Sequence, residues 1–83
     1  MNSKHPDFVH FDIGYRRALA PMNTAYGPAW YQIREWLKSS RSNYQWAITR
    51  NAPRSTRMQL IGQITALKVQ AERHPVPAQY ANR

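Results

Sequence analysis

The residues best equipped for chemistry lie near the start of the chain, where His5-Pro6-Asp7 and His10-Phe11-Asp12 repeat a His-x-Asp pattern five residues apart. Imidazole and carboxylate together can ligate zinc and related ions. The interval matches no established metal signature, and five residues do not bring both histidines to one face of a helix. The simpler reading is an N-terminal turn in which Asp7 caps a helix, so no metal ligand and no cofactor are assigned. The four acids, Asp7, Asp12, Glu35 and Glu72, stand singly. Only the first two could approach each other, which is poor material for an acid–base pair. The chain has no cysteine, so thiol chemistry and thiolate metal sites are excluded. No serine sits in a strand–turn–helix elbow, and Gly14, Gly27 and Gly62 are isolated, so no glycine loop cradles phosphate. No catalytic residue is assigned, and the sequence is read as non-enzymatic.

Binding has better material. Twelve Lys and Arg, nine of them Arg, face four acids, for a net charge of +8 and a pI near 10.7. From Trp36 through Ala71 there is no acid, while Lys38, Arg41, Arg50, Arg54, Arg57 and Lys68 all fall inside. Such a field suits phosphate backbones or acidic protein surfaces. Arg50, Arg54 and Arg57 bracket Pro53 at the expected start of a long helix, where backbone N–H groups also favour anions. Arg41, Tyr44 and Trp46 add a cation and two aromatic faces. These six residues form the candidate site: Arg41, Tyr44, Trp46, Arg50, Arg54 and Arg57. The expected partner is nucleic acid, or an acidic or nucleic-acid-handling host protein. No zinc finger, basic zipper or aromatic RNA-binding signature accompanies them.

The rival expectation is a protein–protein module. Three Trp, five Tyr and two Phe exceed what a core of this size needs, and Trp, Tyr and Arg dominate interface hot spots. Either way the sequence reads as a small regulator or inhibitor of the accessory type that viruses and mobile elements encode. A homodimer is a further option for so thin a core. The opening residues carry no apolar run, so the encoded chain is expected to be the mature one, in the cytoplasm and away from membranes.

These residues must be positioned by one small domain. Eighty-three residues bury only a little over roughly 60% of the unfolded surface. Six prolines divide the chain into four segments and a tail. In the first, from Asp7 to Ala20, Phe8, Phe11, Tyr15 and Leu19 recur at helical spacing, with Gly14 as a weak point. The second opens at Gly27-Pro28, carries Trp30, Ile33, Trp36 and Leu37 on one face, and is expected to end at Ser39-Ser40. The third is ambiguous. Ser42 and Gln45 resemble a capping box over Asn43 to Arg50, yet Tyr44, Trp46 and Ile48 alternate as in a strand. The fourth, from Arg54 to Arg73, aligns Leu60, Ile64, Leu67 and Ala71, with Asn51 or Ser55 available as caps. Gly62 costs stability there unless a neighbouring helix packs closely.

The expected fold is all-α, three or four short helices around Trp30, Trp36, Leu60, Ile64 and Leu67. The alternative is α+β with a hairpin over residues 44–61. Residues 1–74 form the compact domain, and residues 75–83 an extended tail.

Overall fold

A computed structural model describes residues 5–23 and 29–81. Among them the chain is all-α: α1 (Pro6–Leu19), a 3₁₀ turn (Ala20–Asn23), α2 (Trp30–Thr49), α3 (Arg54–Arg73) and a short α4 (Ala78–Ala81), with no strand. The all-α expectation holds, and the 44–61 hairpin does not form.

The first helix is capped two residues earlier than its sequence suggests. His5, not Asp7, is the N-cap: its Nδ1 accepts the Asp7 N–H at 3.1 Å. Pro6 takes the first helical position, where its missing N–H costs nothing. Asp7 is thereby freed for a longer-range role described below.

The second and third segments are one helix. Ser39-Ser40 does not end it, because Ser40 lies on the inward face of α2 and is only 7% exposed, and tertiary burial outweighs the modest helix penalty of serine. Ser42 and Gln45 then fall mid-helix and cap nothing. Gly27-Pro28 lies outside the described residues. The start at Trp30 is closed instead by Gln32, whose Oε1 accepts the Ala29 N–H at 2.9 Å; this is the reciprocal half of a capping box.

The α2–α3 connection explains why the chain turns back at residues 50–53. Asn51 has φ 55°, the left-handed conformation that ends many helices. Its N–H donates to the Ile48 carbonyl at 3.1 Å, and the Ala52 N–H to the Ala47 carbonyl at 2.8 Å. This is the Schellman arrangement, with Asn51 in the place usually held by glycine. Pro53 follows and precedes α3 without a side-chain cap, so neither Asn51 nor Ser55 serves as one.

Helix α3 is the middle of the structure. It packs against α1 on one side and α2 on the other, and α1 and α2 make no close backbone approach to each other. α2 and α3 are antiparallel, as their four-residue connection requires, whereas α1 runs parallel to α3. The layer is 43 × 30 × 18 Å.

The α1–α3 contact depends on Gly14 and Gly62. A Cβ on Gly14 would lie 1.8 Å from the Gln59 carbonyl oxygen, and one on Gly62 would lie 2.0 Å from that of Phe11. The two helices therefore meet backbone to backbone. Both glycines, costly to an isolated helix, are required by the crossing.

The core is small. Ile33, Leu37 and Leu67 are its buried cluster, flanked by Ala18, Met22, Trp36, Ile64 and Ala71. Trp36, Ile64 and Leu67 were expected there. Trp30 is displaced to the end of the layer, where Tyr31 meets its ring edge-on at 5.8 Å and Tyr80 of α4 packs at 5.6 Å. Residues 78–81 of the tail thus form a helical turn and do not continue the extended run of Pro75 to Pro77. Leu60 is only half-buried.

Candidate nucleic-acid interface

Because α2 runs unbroken past Ser40, residues on both sides of that point share a face. Arg34, Lys38 and Arg41 follow one another at intervals of four and three, the spacing that keeps side chains on one side of a helix. They line an open depression of about 550 Å³ together with Leu37, Ser42 and Gln45, and no acid borders it. The three cations span about 10 Å along the helix axis.

Arg34 is anchored. One terminal N–H group donates to the His74 carbonyl at 3.1 Å, and the guanidinium lies over the Trp30 ring at 5.9 Å. Cation and carbonyl suit each other there because His74 caps the C-terminus of α3, where unpaired carbonyls gather. Lys38 and Arg41 are exposed. The flank therefore holds one fixed and two adaptable positive charges around an apolar floor.

The six residues singled out from sequence are divided by the fold. Trp46 and Arg50 come together: the Trp46 ring is 60% exposed and the Arg50 guanidinium lies over it at 5.2 Å. Arg41 lies about 140° around the helix from Trp46, among Arg34 and Lys38. Tyr44 turns inward and is half-buried.

Arg54 is engaged within the molecule. Its guanidinium makes a two-pronged contact with the Asp7 carboxylate, Nε at 2.8 and 2.9 Å and the terminal nitrogen at 2.6 Å. Hydrogen bonding to Arg54 and its positive charge hold the Asp7 carboxyl below its ordinary value against the opposing effect of desolvation. The same bonds raise the Arg54 guanidinium. This pair ties the start of α1 to the start of α3. Arg57 is half-buried, and its Nε is buried without a hydrogen-bond partner.

Arg34 and Lys38 complete the depression without having been selected from sequence. Their register with Arg41 was written in the spacing, but it reads as one face only if the helix continues through Ser39-Ser40.

The His-x-Asp repeat is dispersed into structural contacts. His5 caps α1, Asp7 pairs with Arg54, His10 Nδ1 lies 3.2 Å from the Gln59 amide nitrogen and Asp12 pairs with Arg16 at 2.9 Å. Among the described residues no three His, Cys, Asp or Glu side chains gather as metal ligands, and no helix is long and apolar enough to cross a membrane.

A second, smaller hollow of about 260 Å³ lies on the opposite face, between α1 and α2 with α3 as its floor. Trp36, Ser40, Gln63 and Arg17 border it, with Leu67 beneath. It is narrow for a ligand of drug size, for which roughly 300 Å³ is the lower end. No family model, curated protein or solved structure matches this chain, so its functional reading rests on the geometry.

Proposed function

We propose that this protein is a small, non-enzymatic binding protein of the cytoplasm. On this reading it regulates or inhibits by engaging nucleic acid, or a complex that handles nucleic acid, through the basic flank of α2. One observation carries the reading: Arg34, Lys38 and Arg41 occupy one side of a continuous helix, around a depression that no acid borders. Three cations so placed offer contacts to successive phosphates, which position a protein on a strand without reading bases. The Trp46–Arg50 pair offers a separate stacking surface for an unpaired base.

A titration of the native tryptophans with short single- and double-stranded DNA and RNA, at low and physiological salt, tests the proposal. Binding that persists at physiological salt, prefers one form and is lost in Lys38→Ala/Arg41→Ala supports it. Binding of every polyanion alike at low salt only, or undiminished binding by the folded double variant, overturns it. Arg34 is left intact in this test because it also caps α3.

A second reading has its own support. Trp46 and Tyr31 are 60% and 56% exposed on the outer side of α2, residue types that anchor protein interfaces. Under this reading the chain docks onto a host protein as a modulator of viral or mobile-element type. Its affinity would change little with salt and fall on Trp46→Ala.

A further inference from the structure

Helix α2 carries the same pair of residue types twice. In Trp30–Arg34 and in Trp46–Arg50 an arginine follows a tryptophan by four residues, and its guanidinium lies over the indole at 5.9 and 5.2 Å. The fold treats the two pairs differently. Trp30 is closed in by Tyr31, edge-on at 5.8 Å, and by Tyr80 at 5.6 Å, and Arg34 is tied to the His74 carbonyl. Trp46 has no second ring packed on it among the described residues and stays 60% exposed. An indole left in water beside a cation keeps apolar ring surface for a planar partner.

The two pairs stand on one line. Trp30, Arg34, Lys38, Ser42, Trp46 and Arg50 are spaced by four throughout, so they form a single ridge that crosses the helix obliquely. Every member from Lys38 onward is exposed. Arg41 stands beside the ridge, three residues after Lys38. Glu35, the one acid of α2, lies off the ridge and makes no ion pair among the described residues. From Arg34 to Arg50 the ridge climbs about 24 Å and turns about 160° around the helix axis.

That rotation discriminates between the forms of nucleic acid. A duplex is stiff, with a persistence length of about 50 nm, and runs straight past a helix only about 10–12 Å across. It can meet Arg34, Lys38 and Arg41 together, but Trp46 and Arg50 are then turned away from it. Its bases are also stacked on both faces and offer none to an indole. A single strand can bend around the helix, and its unstacked bases present free faces.

From these observations we infer that the ligand of α2 is a single strand laid along this ridge, with phosphates on Arg34 and Lys38 and an unpaired base stacked on Trp46. The inference rests on the nucleic-acid reading and narrows it. The basic flank and the stacking surface become two parts of one path, joined across the small side chain of Ser42. At a stacked spacing of roughly 3.4 Å per nucleotide the path of about 24 Å holds about seven nucleotides, and a stretched strand needs fewer. Stacking uses the face that every base has, so the strand is held with little regard to its sequence.

The test is fluorescence anisotropy of labelled oligothymidylates of increasing length, and of a duplex as long as the longest, with the intact chain at physiological salt. The strand is expected to bind about tenfold or more tighter than the duplex, with affinity rising up to about seven nucleotides and then levelling. Trp46→Ala should weaken strand binding about 5- to 150-fold, the range of one base–aromatic stack, and Trp46→Phe should keep most of it. Neither should alter duplex binding. Ser42→Glu sets an acid in the middle of the ridge and should weaken the strand; Val9→Glu makes the same change of charge on α1 and should weaken it far less. All three sites are exposed, so circular dichroism should show the native helicity in each variant. A duplex bound as tightly as the strand, a folded Trp46→Ala with undiminished strand binding, or equal losses in Ser42→Glu and Val9→Glu overturns the inference and leaves the nucleic-acid reading standing. Binding of neither form at physiological salt overturns both.

Discussion

Replacing Gly14 by Ala sets two effects of known sign against each other. In an exposed helix the change stabilises by about 1 kcal/mol through helix propensity. Here the new Cβ would lie 1.8 Å from the Gln59 carbonyl oxygen, well under the 3.0 Å below which such contacts are essentially never seen. The obstacle is backbone, so no side chain can swing aside. α1 must move away from α3 by more than 1 Å, and gaps of roughly 0.5–1 Å already forfeit a quarter to a half of the dispersion attraction. Overpacking of this kind costs about 1–3 kcal/mol, sometimes more. Gly14→Ala should therefore destabilise the domain by about 2 kcal/mol, a large part of the few kcal/mol available to a chain of this size. Gly62→Ala should behave alike, because its Cβ would meet the Phe11 carbonyl oxygen at 2.0 Å. The double variant should lose less than the sum, since α1 displaced by one methyl group no longer meets the other. Urea denaturation followed by tryptophan fluorescence and far-ultraviolet circular dichroism reads all three. Ser42→Ala, on the exposed side of α2, is the control and should be neutral or slightly stabilising. A Gly14→Ala protein as stable as the native chain, or stabilised by its propensity gain, would refute the backbone contact between α1 and α3.

Three further outcomes follow from the same structure. Asn51→Val should lower stability by about 1–2 kcal/mol, because a β-branched residue resists the positive φ held there; Asn51→Gly should not, and urea midpoints distinguish the two. Asp7, held below its ordinary value by its hydrogen bonds to Arg54, binds a proton less readily folded than unfolded. Its contribution is therefore complete above the ordinary carboxyl range, near pH 4, and is lost as pH falls through the depressed value. Melting temperatures taken from neutral to acid pH should fall less steeply for Asp7→Asn, and an unchanged profile would remove Asp7–Arg54 as a tie between α1 and α3. If Lys38 and Arg41 each meet a phosphate, Lys38→Ala/Arg41→Ala should reduce the logarithmic salt slope of duplex binding by about 2. An unaltered slope would place the phosphates elsewhere.

How much of this was legible in the chain depends on the range of the interactions involved. α3 was readable in outline, since Leu60, Ile64, Leu67 and Ala71 repeat at the helical period between Pro53 and Pro75. The path of α2 was not. Ser39-Ser40 and the alternation around Tyr44, Trp46 and Ile48 are local signals for a break and a strand, and only burial of Ser40 against the rest of the molecule overrides them. The candidate site inherits that difference: Arg41 was recognised, whereas its partners Arg34 and Lys38 come into register only on an uninterrupted helix. Arg54 could not be told from a free cation, because its partner Asp7 is remote in the chain and reaches it through the packing of α1 on α3.

Composition and periodicity by themselves determined that the chain is cationic and thinly cored, and favoured an all-α fold over a hairpin at residues 44–61, because these follow from residue type and from spacing within one or two turns. They also left a condition open at Gly62, whose cost had to be met by a neighbour. The tertiary structure alone decided that this neighbour is the backbone of α1, that Gly14 answers it, and that the three helices lie side by side in a layer. Those outcomes require two segments separated by some fifty residues to meet at atomic distance, and no local pattern encodes where such segments touch.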